Sequence, residues 1–385
     1  YEAYLVGGCV RDMLMGKAPA DWDITTSAQP EQVKNIFKRT FDTGIEHGTV
    51  TIVLDKENYE VTTYRVDGEY KDNRRPEEVF FTTDLKEDVA RRDFTVNAIA
   101  WHPSEGYRDY YNGMGDIKEK IIRGVGNPDH RFKEDALRML RAIRFSCQLG
   151  FVIEEETFLA LKSNEGLIKN ISVERIRVEL VKALASDYVS NLDYFGRCNI
   201  MSLMLPGAKD ILSGLDRVVE KLARLDRKCK SIENPLNVMS LFLYDEDINK
   251  SEKILLYLKF DNKLIKSFKY IKPFLKGFIP ADKYAVKKII SVMDKDLFIN
   301  LLEVRKAAGL CDLGIRDLFD EIEKAGEPVY IKDLDIDGNI LMNEMGIKGK
   351  QIGETLVFLQ DKVLEKPELN KKEELVNMAN FYISM

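Results

Sequence analysis

Two early aspartates are the residues in this sequence best suited to chemistry. Asp21 and Asp23 alternate with apolar residues, so on a strand both carboxylates would face the same side. Two carboxylates held that close repel each other unless a cation lies between them, and oxygen ligands of this kind suit Mg²⁺. On its own, such a pair at a strand edge is more often a solvated face than a metal site.

The glycine pair Gly7-Gly8 adds a second feature, because it ends a short apolar run and lets the backbone approach a triphosphate closely. Carboxylates, Mg²⁺ and a triphosphate together support two-metal phosphoryl transfer. The order of strand, glycine turn, Arg-Asp pair and aspartates resembles the nucleotidyltransferase superfamily that includes DNA polymerase β. That resemblance implies a third carboxylate from a neighbouring strand, for which Glu60 is the candidate. The alternative for Glu60 is an ordinary solvent-facing strand residue.

A pair of arginines, Arg91-Arg92, precedes an apolar stretch. Arg92 could hold a triphosphate by a forked contact that lysine could not copy. The alternative is a surface pair with Asp88 or Glu87.

The segment 131–145 is the most informative in the sequence. As one continuous helix at 100° per residue, it would gather apolar residues on one face and charged residues on the other. The charged face would carry Glu134, Asp135, Arg138 and Arg141, with Arg144 at its margin. A solvated face with salt bridges three residues apart is the alternative.

Asp135 and Arg138 can also read a base, because a carboxylate accepts and a guanidinium donates. The pair matches cytosine and adenine, which carry an amine beside a bare ring nitrogen. Guanine and uracil present a carbonyl beside an N–H there, and a buried mismatch costs on the order of several kcal/mol. One helix face can thus select C and A together.

Composition limits the class of protein. The 385 residues are 45% hydrophobic and 32% charged, enough for roughly two to four packing units rather than a disordered chain. The formal net charge of −6 excludes a protein that is basic throughout but permits a local basic surface. Five scattered cysteines and three histidines argue against a disulfide framework or a zinc site and favour a reducing, cytoplasmic location. The sequence contains no apolar run long enough to span a membrane.

The organisation changes along the chain. Residues up to about 120 combine strand and helix patterns, including a hairpin of strands 50–54 and 59–64 separated by the polar residues 55–58. After residue 130, amphipathic helical patterns follow one another to the end. The sequence therefore predicts a small head containing strands and an all-helical remainder of two or three subdomains.

Several ordered motifs resemble one family closely, the class II tRNA nucleotidyltransferases, or CCA-adding enzymes, of the bacterial type. These motifs are residues 7–12, 21–23, 91–94, 134–138, 172–180, 337–342 and 346–353. The resemblance implies an α+β fold: a small nucleotidyltransferase head with a mixed β-sheet, followed by an elongated all-helical neck, body and tail. The implied domains are a catalytic head (1–120), a nucleotide-recognising neck (121–190), a body (191–275) and a tRNA-binding tail (276–385).

The resemblance also implies the reaction, which is addition of C, C and A to the 3′ end of tRNA from CTP and ATP, without a nucleic-acid template. The implied partners are tRNA, CTP and ATP, and no association with a membrane is implied. The implied oligomeric state is a monomer or a homodimer. In the implied site, Asp21 and Asp23 bind Mg²⁺ with Glu60 as the third acid. The implied nucleotide contacts are Gly8, Arg11 and Arg92 for the sugar and triphosphate, Asp135 and Arg138 for the base, and Arg141 and Arg144 for the triphosphate.

A polar stretch, 67–76, resembles the flexible loop that family members use when they switch from C to A. Its candidate residues are Asp67, Gly68, Tyr70, Arg74 and Arg75. Enzymes that add only CC tend to lack this loop, so its presence argues against them. The alternative is an ordinary exposed polar loop.

Lysines concentrate between residues 261 and 288. Lys263, Lys266, Lys269 and Lys272 recur every third residue and predict one basic helix face for tRNA phosphates. The turn 346–350, with Lys348 and Lys350, precedes a helix whose N–H groups could bind phosphate. The alternatives are a helix kept soluble by lysine and a plain connection between helices.

Other functions stay open at this point. An A-adding enzyme would keep the same motifs and the loop, and a poly(A) polymerase would share the head motifs. A catalytically dead RNA-binding protein would not need the carboxylates, and a small-molecule nucleotidyltransferase would not need the lysine-bearing helices. Family members usually begin with a helix before the first strand, so we expect that a segment is trimmed or omitted ahead of Tyr1.

Overall fold

The structure, a computed structural model, describes residues 1–68 and 78–384. These residues form two compact units: unit 1 comprises residues 1–219 with 257–259, and unit 2 comprises residues 220–256 with 260–384. The finer division into head, neck, body and tail stays a prediction. Within the described ranges, no helix is long and apolar enough to cross a membrane.

The strands of the described residues all lie in unit 1, and most of them precede residue 123. They are β1 (Ala3–Val6), β2 (Asp23–Thr26), β3 (Thr40–Gly44), β4 (Thr49–Leu54), β5 (Glu57–Thr63), β6 (Arg65–Asp67), β7 (Val79–Phe81), β8 (Ile99–His102), β9 (Gly106–Asp109), β10 (Ile121–Ile122) and β11 (Val152–Ile153).

Seven of these strands form one sheet in the order β3-β4-β5-β2-β1-β8-β9. The β2–β5 pair is parallel, and every other pair of neighbouring strands in this sheet is antiparallel. The sheet is therefore mixed, as predicted. β6 with β7 and β10 with β11 form two further two-stranded sheets. A mixed-sheet head followed by helices confirms the predicted α+β class.

The predicted hairpin is formed by β4 and β5, but its turn is two residues rather than four. Asp55 and Lys56, the two turn residues, both have positive φ (51° and 72°), which is the conformation of a tight hairpin turn. The short turn fixes the register of β5, in which Glu60 pairs with Thr51 on one side and with Asp23 on the other. The hairpin therefore brings Glu60 beside Asp23.

The helices of unit 1 mostly follow the sheet. They are α1 (Gly8–Leu14), α2 (Pro30–Ile36), α3 (Leu85–Ala90), α4 (Gly113–Glu119), α5 (Pro128–Glu134), α6 (Leu137–Leu149), α7 (Glu155–Asn164), α8 (Val173–Leu184), α9 (Asp193–Gly196), α10 (Ile200–Met204), α11 (Ala208–Ser213) and α12 (Leu215–Arg224), whose second half belongs to unit 2.

The prediction of one continuous helix over 131–145 is wrong. The chain breaks between α5 and α6, where Asp135 is extended, with φ −133° and ψ 103°. The Asp135 carboxylate accepts a hydrogen bond from the Leu137 N–H (3.0 Å) and another from Arg175 (2.8 Å). A side chain that bonds the backbone two residues on competes with helix, and here it starts a new helix instead of continuing the old one.

Unit 2 is built from helices within the described residues. They are α13 (Leu236–Phe242), α14 (Ile248–Tyr257), whose last residue is counted with unit 1, α15 (Asn262–Ile271), α16 (Lys283–Ile290), α17 (Lys295–Ala307), α18 (Ile315–Ala325), α19 (Gly338–Met345), α20 (Lys350–Glu365) and α21 (Lys372–Ser384).

Replacing Lys56 by glycine should stabilise unit 1 by about 0.5–1 kcal/mol, because glycine adopts positive φ without a steric penalty. Urea unfolding followed by tryptophan fluorescence measures this, since both tryptophans, Trp22 and Trp101, lie in unit 1. As a control, Asn58→Gly in strand β5 should destabilise unit 1 by a similar amount. Destabilisation by Lys56→Gly as well would contradict the role of the turn.

Candidate functional site

The turn after β1 brings a glycine, an arginine and an aspartate together. Gly7 has φ +85°, and a Cβ added there would lie 2.9 Å from Arg92 Nη1 and 3.6 Å from Asp23 Oδ2. Gly8, the glycine predicted to contact the nucleotide, opens helix α1. Sequence reasoning named both glycines as a turn and assigned the nucleotide contact to Gly8 alone. Positive φ and the close approach of Arg92 make Gly7 the position that requires glycine.

The two aspartates are close, but only one belongs to a strand. Asp23 opens β2, whereas Asp21 lies in the bend before it, so the expectation of both on one strand is wrong for Asp21. On one side of β2, strand β1 ends at Val6 and the chain turns at Gly7, so the residues before Asp23 have no partner strand on that side. Burial raises the pKa of Asp23, Arg92 lowers it, and the charge of Asp21 raises it further.

This arrangement suits a hard divalent cation. Glu60 is exposed and pairs in register with Asp23, so the two side chains share one face of the sheet. Across the described residues, no set of three His, Cys, Asp or Glu side chains is close enough to hold a metal ion by itself. Mg²⁺ commonly takes one or two protein carboxylates and completes its shell with phosphate oxygens and water. Asp21 and Asp23 fit such an ion, because their oxygens are suitable ligands and a cation between them would relieve their mutual repulsion.

Arg92 lies next to this pair with unused hydrogen-bonding capacity. Its Nε is buried without a hydrogen-bond partner among the described residues, and its Nη2 lies 3.9 Å from the fully buried Asp88. Burial lowers the pKa of Arg92, while Asp88 and Asp23 act in the opposite direction. The alternative of a pair with Asp88 is correct for both arginines, since Arg91 also lies within 2.8 Å of this carboxylate, but Asp88 is fully buried, so the pair is not on the surface. Arg92 is therefore suited to receive an anion.

The segment 91–93 links the carboxylates to helix α6. The main-chain oxygen of Arg91 accepts a hydrogen bond from Arg138 Nη2 at 2.7 Å. Two residues on, the Asp93 carboxylate accepts bonds from Arg141 Nη2 (2.5 Å) and Nε (2.8 Å). One three-residue segment thus touches both the glycine turn and the arginines of α6.

Asp93 is the charged anchor of this link. Burial raises its pKa, but the charge of Arg141 and hydrogen bonds from Arg141 and Asn97 outweigh burial and bring the pKa to about 2. Asn97 also accepts a hydrogen bond from Arg11 Nη1 (2.7 Å), and Arg11 bonds Asp12 (2.8 Å). Asp93 is therefore ionised at neutral pH and holds Arg141 and, through Asn97, Arg11.

The two predicted base-reading residues do not face each other on a single helix. Arg138 donates to Glu134 (2.6 Å), to the Arg131 carbonyl (3.2 Å) and to Arg91, which uses three of its five N–H donors. Asp135 lies at the break between α5 and α6 and pairs with Arg175. The interpretation as a solvated face is wrong for Arg138 and Arg144, whose side chains are only 10% and 8% exposed.

Sequence reasoning missed several residues that hold the site. Glu179 on α8 bonds Arg144, and Arg175 on the same helix bonds Asp135. Both belong to the motif 172–180, for which the sequence alone indicates no role. Asp93 and Asn97 likewise lie in or just after a recognised motif. The presence of these residues in or near recognised motifs was a signal that they have a role in the site. Only the fold shows which partner each of them contacts.

The predicted loop falls largely outside the described residues, which include Asp67 and Gly68 but not Tyr70, Arg74 or Arg75. Asp67 ends β6, and its carboxylate lies 3.3 Å from Arg65 Nε. Gly68 donates its N–H to the Glu78 carbonyl (2.9 Å), which closes the strand pair β6–β7 at the base of that stretch.

The predicted basic face on α15 is correct for three of its four lysines. Lys263, Lys266 and Lys269 are exposed, and Lys269 pairs with Glu252. Lys272 lies beyond the helix end and donates to the carbonyls of Leu243 (2.6 Å) and Tyr244 (3.0 Å). Burial lowers the pKa of Lys272 to about 8, so this lysine does not belong to the exposed face.

The predicted glycine turn before a helix is also present in unit 2. It joins α19 to α20, with Gly346 and Gly349 at positive φ. Lys348 and Lys350 are exposed, and Lys350 pairs with Glu354 one turn along α20.

Comparison with known proteins gives two family models. The Poly A polymerase head domain matches residues 3–123, and the probable RNA and SrmB-binding site of polymerase A matches residues 150–212.

Full-length relatives extend the match to both units. The chain is 35% identical to a CCA-adding enzyme of Ligilactobacillus salivarius over 98% of this chain and 92% of the relative. It is 36% identical to a CCA-adding enzyme of Pediococcus pentosaceus over 99% of this chain and 94% of that one. Among solved structures, the Bacillus stearothermophilus CCA-adding enzyme in complex with CTP is similar, with TM-score 0.85, 29% identity, and coverage of 100% and 94% of the two chains.

Replacing Gly7 by alanine should weaken nucleoside triphosphate binding by about tenfold or more, because the new methyl group displaces Arg92. Calorimetric titration with CTP measures the change in affinity. Gly16→Ala is the matched control, since Gly16 also has positive φ (69°) but an added Cβ meets nothing within 4 Å. Both variants should lose similar stability, so equal losses of CTP affinity would contradict the role given to Gly7.

Proposed function

Because the chain belongs to the family of CCA-adding enzymes, we propose that it extends the 3′ end of tRNA by C, C and A from CTP and ATP, without a nucleic-acid template. Each step joins the α-phosphate of a nucleoside triphosphate to the terminal hydroxyl of the RNA and releases pyrophosphate. The observation that carries this proposal is the segment 91–93, which contacts the arginines of α6 on one side and approaches the glycine turn beside Asp23 on the other.

The family depends on a divalent metal ion, and we propose Mg²⁺ held by Asp21 and Asp23, with Glu60 as a third acid beside them. When bound, such an ion lowers the pKa of the attacking hydroxyl and neutralises charge on the leaving pyrophosphate. The repulsion between Asp21 and Asp23, which raises the pKa of Asp23 in addition to burial, supports this assignment.

The triphosphate is proposed to lie between Arg92 and the arginines anchored on α6. Arg92 carries a buried Nε without a partner among the described residues, which an anion can satisfy, and Gly8 leaves its backbone accessible. Arg11, Arg141 and Arg144 each keep N–H groups beyond those bonded to their acid partners. Forked guanidinium contacts would orient the phosphate chain for attack.

The base is proposed to meet Asp135 and Arg138 across the break between α5 and α6. Arg138 keeps two of its five N–H donors, and each oxygen of Asp135 has a second lone pair. The Asp135 carboxylate, held by Arg175, can accept a hydrogen bond from the amine that cytosine and adenine share. The Arg138 guanidinium, held by Glu134, can donate one to the neighbouring ring nitrogen. The hydrogen bonds that orient both residues support discrimination against guanine and uracil.

The tRNA is proposed to contact exposed cations of unit 2. These are Lys263, Lys266, Lys269, Lys348 and Lys350. Such contacts recognise backbone shape rather than sequence and weaken with salt. The stretch 67–76 is proposed as the loop needed for A addition. We further propose a cytoplasmic location, because five free thiols suit a reducing compartment. For the oligomeric state, we propose a monomer or a homodimer.

The reaction is tested with tRNA transcripts that end at the discriminator base, at C and at CC, incubated with CTP and ATP. All three should be extended to CCA. Extension of the CC transcript alone would instead identify an A-adding enzyme, and a long adenosine tract would identify a poly(A) polymerase.

Asp21→Ala should lower every addition by about a thousandfold or more, because a metal-binding carboxylate is lost. The control is Asp42→Ala, an exposed strand carboxylate paired with Lys34. Normal activity of Asp21→Ala at saturating Mg²⁺ would exclude the metal role.

Arg138→Ala should keep some incorporation but accept GTP and UTP, because the donor that rejects their base edges is gone. Competition between CTP and UTP on the same transcript measures the choice. Arg108→Ala, which removes an exposed arginine paired with Glu105, is the control. A variant that still refuses GTP and UTP as firmly as the parent would contradict the base-reading role.

A further inference from the structure

One aromatic ring on α6 lies under three of the arginines. The guanidinium carbons of Arg144, Arg141 and Arg11 are 3.9, 5.2 and 5.4 Å from the centre of the Phe145 ring. Phe145 itself is 6% exposed. All three distances lie within the range in which a cation is attracted by the face of an aromatic ring.

Three positive charges around one ring repel each other, so something must hold them together. Each arginine has an acid partner from a different part of unit 1: Asp12 for Arg11, Asp93 for Arg141 and Glu179 for Arg144. These carboxylates neutralise charge, but each also occupies guanidinium N–H groups that an incoming phosphate would otherwise use.

The ring acts differently from the acids. Its quadrupole attracts a cation without accepting an N–H in the way a carboxylate does and without adding negative charge that would repel a phosphate. A buried ring therefore keeps the guanidinium groups close together while it leaves hydrogen-bond donors for an anion. Neither an aliphatic residue nor a fourth carboxylate at this position provides both effects.

We infer that Phe145 is a positioning residue that assembles Arg11, Arg141 and Arg144 into one site for the triphosphate of the incoming nucleotide. This inference rests on the proposed function, since it presumes that these arginines bind phosphate. The ring has no role in reading the base, so its effect is the same for CTP and ATP and grows with the number of phosphates on the ligand.

The test replaces Phe145 by leucine, which keeps an apolar side chain and removes the ring. We expect the Kd of CTP and ATP and the KM of both to rise by about tenfold, with kcat and base choice changed little. Binding of inorganic tripolyphosphate, measured by competition with CTP, should weaken by the same factor, whereas binding of CMP should weaken less. Phe145→Tyr, which retains a ring, should bind like the parent.

The matched control is Phe158→Leu. Phe158 is also a buried ring of unit 1 and carries Arg197 at 4.7 Å, but none of the three arginines lies over it. It should lose comparable stability, seen by tryptophan fluorescence, and keep its affinity for tripolyphosphate. If Phe145→Leu does not fold, ring-fluorinated phenylalanine at position 145 keeps the shape and weakens the quadrupole, and the same loss of tripolyphosphate affinity is expected.

The outcomes separate the two ideas. A parent protein that extends tRNA, with Phe145 variants that bind tripolyphosphate as tightly as the parent, overturns the role of Phe145 and leaves the proposed function intact. An inactive parent overturns the proposed function. The inference is also overturned if Phe145→Leu weakens binding of CMP as much as binding of CTP, or if Phe158→Leu raises the Kd of CTP by the same factor. In either case the loss of affinity would be structural.

Discussion

Pairing of buried charges is the constraint on which this structure depends. A guanidinium taken out of water costs several kcal/mol unless a carboxylate or carbonyl compensates it. In unit 1, Arg141 meets Asp93 and Arg144 meets Glu179, and each acid lies outside the helix that carries its arginine. The same bonds therefore neutralise charge and fix α6 against its neighbours. Stability of the fold and preparation of the site are consequences of one set of interactions.

The glycine turn and the sheet register are the second constraint. Gly7 allows Arg92 and Asp23 to approach one another, and the parallel pairing of β2 with β5 places Glu60 beside Asp23. Neither feature depends on the arginines of α6. The segment 91–93 joins the two regions, because its three residues contact Arg138, the glycine turn and Arg141 in succession.

Much of this was predictable from the sequence. The strand before Gly7-Gly8, the hairpin carrying Glu60 and the helices after residue 130 follow local patterns that the fold retains. The break at Asp135 was not predictable from periodicity, because it depends on a hydrogen bond to the backbone and on Arg175, 40 residues away. The inward turn of Lys272 depends similarly on carbonyls that only the tertiary structure supplies. Local rules failed where a distant partner decided the conformation.

The links within unit 1 also share a feature in sequence distance. Asp93 and Arg141 are 48 residues apart, Asp135 and Arg175 are 40 apart, and Arg144 and Glu179 are 35 apart. Loop-closure entropy makes such contacts slow to form and dependent on prior collapse. On the ribosome, a chain that has emerged only as far as its sheet still lacks α8 and the acids it carries. Arg144 on α6 therefore meets its acid partner only after Glu179 has left the exit tunnel.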